Sequence, residues 1–136
     1  GARRTSYRAD ILRESDAAKT CGVVVLALLC AFLAAVAAVE PDVARRPQLL
    51  CAVLADKDVA GIVRLLAPAF PSVCVTQTAS PRALAAHELG GLLREAGATV
   101  TAEYPDVACA TSALCGESYV ACGSITLAGE VAGLLA

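Results

Sequence analysis

Methionine and tryptophan are absent from this sequence of 136 residues, and histidine occurs once. That histidine, His87, falls beside Glu88 in an expected helix with no serine or cysteine placed near it. No nucleophile and base pair can be read there, and a satisfied surface histidine is the plainer reading. The missing methionine, at position 1 included, fits a fragment or a processed chain, whose Arg-rich start would be the remnant of an import segment or a linker. Charge is scarce as well. Charged residues make up 18% against 57% apolar, the composition of a chain that buries most of its elements, and the length suits one domain. Residues 1–20 carry five basic and three acidic groups, whereas the remainder carries six basic and ten acidic. That balance argues against nucleic acid as a partner of the main body.

A glycine-rich phosphate loop is also lacking. Gly61, Gly90, Gly91 and Gly129 are not followed by lysine, so no Gly-x-x-x-x-Gly-Lys-Ser/Thr pattern exists to wrap the phosphates of a nucleotide. No Cys-x-x-Cys pair occurs among the seven cysteines at 21, 30, 51, 74, 109, 115 and 122. Most lie in apolar runs such as Val73-Cys74-Val75 and read as reduced, buried thiols of an intracellular protein. Cys109, Cys115 and Cys122 stand six and seven residues apart, which matches no common zinc pattern, so no metal site is assigned.

What the chain does have is a long uncharged run. Cys21 to Val39 contains no charged, amide or hydroxyl side chain over nineteen residues, six of them alanine. Its length suits a membrane span, and basic residues flank it at Arg13, Lys19, Arg45 and Arg46. Its alanine content equally suits a helix buried by a protein partner. Both readings stand at this point, and either gives residues 21–39 something to be buried against.

After Pro47 the pattern shortens. Gln48 to Leu54 reads as a buried strand, and Asp58 as the cap of a helix from Val59 to Leu66 that Pro68 ends. Ser72 to Thr76 is a second strand and about 83–96 a helix with Gly97 at its C-terminal end. Ala98 to Ala102 is a third strand, Asp106 caps a short helix to Leu114, Ser118 to Cys122 is a fourth strand, and a last helix ends near Leu135. Alternation of this kind predicts an α/β fold: a Rossmann-like, mostly parallel sheet with helices on both faces, preceded by a long apolar helix. The expected organisation is an N-terminal extension over 1–20 and one domain over 21–136.

Four segments carry a family resemblance. They are Leu54-Ala55-Asp56-Lys57-Asp58-Val59-Ala60-Gly61-Ile62, Val75-Thr76, Ser80-Pro81-Arg82-Ala83-Leu84, and Val120 through Glu130 with its Gly123-Ser124 turn. In this order and spacing they resemble the C-terminal domain of folylpolyglutamate and dihydrofolate synthases, itself similar to that of the Mur ligases. The resemblance covers roughly 48–136 well and 16–47 poorly. It implies substrate contacts at Asp56, Lys57, Asp58, Arg82 and Ser124. The physical reading agrees, since these loops follow strands and ligands of open parallel sheets gather there. Lys57, Arg82 and the Gly123 turn would form an anion-facing rim. The same residues also fit ordinary turns, caps and a structural ion pair. The family's Asp-Gly-Ala-His-Asn loop, which helps place ATP, finds its nearest match in Asp16-Ala17-Ala18-Lys19-Thr20. Asp16 and Thr20 fit the pattern, but Lys19 stands where the histidine belongs and Ala17 where the glycine belongs.

Two functions follow. The preferred expectation is a non-catalytic, ligase-derived domain serving as an accessory subunit of a larger assembly, in a mitochondrial matrix or inner membrane or else in the cytoplasm. The alternative is the C-terminal half of a working folylpolyglutamate synthase, with the ATP-binding half on another chain. In either case no cofactor belongs to this chain alone, and ATP and magnesium enter only with a partner.

Overall fold

The computed structural model describes residues 26–135. The first element, α1, is helical over 26–39, and a 3₁₀ turn at Val43–Arg45 leads into β1 (Gln48–Cys51). Then follow α2 (Val59–Leu66), β2 (Val73–Val75), α3 (Ala86–Glu95), β3 (Val100–Glu103), α4 (Val107–Ala113), β4 (Tyr119–Cys122) and α5 (Ile125–Leu135). The four strands form one sheet in the order β3-β2-β1-β4, and every pairing is parallel. The α/β expectation is met. The chain steps from β1 outward to β2 and β3, then crosses to the other side of β1 for β4, which makes β1 the point where the topology reverses.

Parallel strands covered on both faces should be apolar throughout, and the central pair is. β1 buries Leu49, Leu50 and Cys51, and β2 buries Val73, Cys74 and Val75. Side chains alternate between faces. Leu49, Cys51, Val73 and Val75 join α1, α2 and α3 in the larger cluster, through Leu29, Ile62, Leu66, Leu89 and Leu93. Leu50, Ala52 and Cys74 meet α4 and α5 in the smaller one, through Val107, Ala110, Leu114, Leu127 and Val131. Each fully buried leucine contributes roughly 1.5–3 kcal/mol of transfer free energy.

The long uncharged helix is corrected. Residues 21–25 lie outside the described residues, and among those described no helix is long and apolar enough to cross a membrane. Over 26–39 the helix is one-sided. Leu26, Leu29, Leu33 and Val36, spaced at three and four residues, pack on the larger cluster, while Leu28, Phe32 and Val39 face outward. Alanines kept polar side chains off both faces, so the sequence hid the stripe. Arg46 anchors the exit from α1, its Nε donating to the Glu40 carbonyl and its Nη1 to the Ala69 carbonyl, both at 2.8 Å.

The cysteine expectation is corrected in part. Cys51 and Cys74 are buried and Cys122 half-buried, but Cys30, Cys109 and Cys115 are exposed. Cys30 and Cys109 sit on the outer faces of helices α1 and α4, where an apolar neighbourhood in sequence is not an apolar neighbourhood in space.

Candidate functional site

Asp56, Lys57 and Asp58 follow β1, Arg82 follows β2, and Ser124 follows β4, all at the carboxyl edge of the sheet. β1 leaves its ladder after Cys51, whose carbonyl accepts from the Thr76 amide at 3.0 Å. The chain then stays extended and pairs with the segment after β2. Leu54 bridges Ala83 in antiparallel fashion, the Leu84 amide donates to the Val53 carbonyl at 2.9 Å, and the Ala55 amide donates to the Arg82 carbonyl at 2.7 Å. This short antiparallel clip ends the expected first strand early and delays the start of α3 to Ala86. It also brings two loops that are 26 residues apart into contact. Arg82 Nη1 donates to Asp56 Oδ2 at 2.7 Å, with the two side chains 43% and 34% exposed. Ser80 Oγ accepts from the Arg82 amide at 3.1 Å and shapes that turn.

Asp58 is committed to the fold. Its Oδ1 accepts from the Gly61 amide at 3.0 Å and caps α2. A Cβ on Gly61 would lie 2.5 Å from Asp58 Oδ2, so glycine is needed for the carboxylate to come this close. Lys57 is half-buried in the turn, its amide donating to the Leu54 carbonyl at 3.2 Å. Across the sheet, Gly123 has φ +122°, and a Cβ there would lie 2.6 Å from the Ala52 carbonyl oxygen. Glycine at 123 therefore lets the turn after β4 press on the end of β1. Ser124 Oγ accepts from the Leu127 amide at 3.0 Å and caps α5.

The structure thus brings Asp56 and Arg82 together and seats the Gly123 turn against β1. Among the described residues no hydrogen bond or ion pair joins Ser124 to Lys57 or Arg82. Asp16, Lys19 and Thr20 lie outside the described residues. Beneath the turn, Cys51 and Cys122 are register partners, and burial, with the Cys122 thiol next to it, pushes the Cys51 thiol well above its ordinary value. Cys51 is therefore a packing residue. Among the described residues no group of three or more metal-ligating side chains occurs.

Three residues of this edge escaped the sequence reading. Glu130 Oε2 accepts from the Ala79 amide at 3.0 Å, across 51 residues, and ties α5 to the loop that carries Arg82. Gln77 Oε1 accepts from the Ala86 amide at 2.9 Å and serves as the cap that Ala85 cannot supply to α3. Thr78, 6% exposed, is the third. Glu130 stood in the motif segment, but no spacing rule gives a partner 51 residues away.

The parallel sheet that reverses at β1 belongs to an α/β domain whose structural likeness is to a ligase, which supports a ligase-related domain. Its particular likeness is to folylpolyglutamate synthase of Mycobacterium tuberculosis. One structure of that enzyme, complexed with ADP, and another, complexed with ADP and AMPPCP, each match with TM-score 0.54 and 27% identity over 75% of this chain. The chain spans about 27% of the length of those solved chains. No protein-family model matches the sequence, and no curated protein matches it. The family resemblance read from the sequence is therefore matched by a structural likeness over three quarters of the chain.

Proposed function

We propose that this domain is the substrate-side half of an ATP-dependent folate:glutamate ligase, working with a nucleotide-binding half that these residues do not contain. One observation carries the reading. The Asp56 and Arg82 loops and the Gly123-Ser124 turn, which are the segments of the resemblance, lie on one edge of a sheet similar to that of a synthase solved with ADP. In such a ligase ATP supplies the phosphoryl group that activates a carboxylate. This chain's part is to orient and charge-match substrate. Lys57 and Arg82 offer cationic groups to a glutamate carboxylate, Asp56 holds the arginine fork in place, and Ser124 ends the rim. The partner chain covers the outward Leu28, Phe32 and Val39 of α1, and the magnesium arrives with the nucleotide.

The test is reconstitution. The chain mixed with a phosphate-loop partner from the same source should add glutamate to a folate at the expense of ATP, and the chain alone should not. Turnover by the chain alone overturns the division of labour, and no turnover with any copurifying partner overturns the ligase reading. A second reading, the accessory subunit of an organellar assembly such as a mitochondrial complex, is favoured by the closed Asp56–Arg82 pair, which neutralises the arginine that a substrate would need. Copurification with a large assembly lacking ligase activity would select it.

A further inference from the structure

One edge of the sheet is guarded and the other is open. At β3, Thr101 and Glu103 are exposed, and Glu103 meets Arg94 Nη1 at 2.9 Å and His87 Nδ1 at 3.0 Å. Charge on an edge strand keeps other strands from pairing with it. β4, at the opposite edge, reads Tyr119-Val120-Ala121-Cys122, with no charge and no proline. The ladder shows which of its groups are unused. The Leu49 amide donates to Ser72 and the Cys51 carbonyl accepts from Thr76, so both residues turn to β2, and Leu50 between them turns to β4. With Leu50 opposite Ala121, the parallel pattern puts Val120 and Cys122 in the ladder and aims the N–H and C=O of Tyr119 and Ala121 off the sheet. Among the described residues no backbone group reaches them.

Helix α1 borders the same edge. α3 covers β2 and β3 and α2 lies beside α3, so α1 stands over the β4 end, in the cluster that includes Val120 and Cys122. It runs toward the amino edge, where Arg46 reaches the Ala69 carbonyl. With right-handed crossovers and a right-handed helix in that direction, Leu28, Phe32 and Val39, about 100° round from the packed stripe, turn past β4. That outward stripe is roughly 20 Å long and roughly 10 Å wide, about 200 Å² against the roughly 800 Å² per partner of a stable interface. A partner on α1 therefore needs the neighbouring edge as well. A second copy paired about a two-fold axis brings only the same short strand and stripe. This chain spans about 27% of the solved synthase chains, which leaves the length for a further segment to the other half. We propose that the partner assigned above to the outward face of α1, the nucleotide-binding half, also lends an extended, uncharged segment to the open edge of β4. Its main chain bonds Tyr119 and Ala121, and its apolar side chains on the α1 side continue Leu28 and Phe32. The identity of this partner rests on the ligase reading; the open edge does not.

The experiment follows amide hydrogen exchange in the full chain, alone and with the phosphate-loop partner of the reconstitution. Tyr119 and Ala121 should exchange freely in the chain alone and at least about tenfold more slowly in the complex, whereas Val120 and Cys122, already in the ladder, should change less. Ala121→Pro removes an outward donor that an edge strand can spare, and should weaken the complex about tenfold, the scale of one main-chain hydrogen bond. Leu28→Glu, at an exposed position, should give a similar loss and an independent reading should Ala121→Pro fail to fold. Slow exchange of Tyr119 and Ala121 in the monomeric chain means an edge already closed, and slow exchange in a dimer of the chain gives it to a second copy; either overturns the proposal. A complex that ligates while both amides stay open, or undiminished binding by folded variants, overturns the strand and leaves the ligase reading. Slowed exchange in a complex that adds no glutamate supports the strand and overturns the ligase reading. If no complex forms, both fall.

Discussion

The two faces of the sheet are built by the same alternation of β1 and β2 residues and are packed unequally. On one, Leu49, Ile62, Phe70, Leu66, Leu89 and Leu93 interlock with α1, α2 and α3. On the other, Ala52, Cys74 and Ala110 stand among Leu50, Leu114 and Leu127, under a helix of seven residues, α4, and under α5. Large side chains fill the first layer. The second layer holds fewer large side chains, and an open cavity lies beyond its carboxyl end, between the loops after β2 and β3 and helices α4 and α5. The difference teaches where the domain spends its packing: the face with the clip between the Asp56 and Arg82 loops carries most of the buried core, and the face with the Glu130 tie carries less.

The largest expected effect tests that inequality directly. Leu66→Ala on the fuller face should cost about 4–5 kcal/mol of unfolding free energy, the upper part of the range for buried leucines, and Leu114→Ala on the sparser face about 2–3 kcal/mol. Denaturant titrations that gave equal costs, or the reverse order, would break the comparison. Gly123→Ala should follow with about 1–3 kcal/mol, because the added methyl meets the Ala52 carbonyl and the backbone sits at positive φ. Its loss should be accompanied by exchange broadening of Ala52 and Val53 amides if the turn braces β1, and by none if it does not. The smallest effect concerns Glu103 at the end of β3, the strand at one edge of the sheet. Hydrogen bonds from His87 and then Arg94 hold its carboxyl below the usual carboxylate range. A lowered folded pKa adds stability above the unfolded carboxylate value, and that stability is lost as pH falls through the folded one. The melting temperature should therefore drop slightly below about pH 4.3, the ordinary glutamate value, and Glu103→Gln should remove that part of the slope.

Much of this was written in local sequence. Asp58 and Asp106 cap α2 and α4 as their positions imply, and α2 ends at Leu66, just before Pro68, because a proline cannot continue a helix. The apolar runs read as strands over 48–54 and 72–76 do hold β1 and β2, which the structure makes the central pair. Boundaries were read too generously where the chain stays extended without staying in the sheet. Ala52 to Leu54 look like strand because they are buried, yet their partner is the loop at Ala83 and Leu84. Local propensity cannot distinguish a ladder from a clip.

The site was legible as loops and illegible as contacts. Asp56 and Arg82, Glu130 and Ala79, and Gln77 and Ala86 each became partners only through the folding of the chain. Similarly, α1 read as an all-round apolar rod until its Leu26, Leu29, Leu33 and Val36 stripe was seated on the core. The sequence by itself determined the alternation of short strands and helices, because period, caps and breakers act within a few residues. Only the tertiary structure decided which carboxylate neutralises the arginine, which glycine touches β1 and where space is left, because those are distances between residues far apart in the chain.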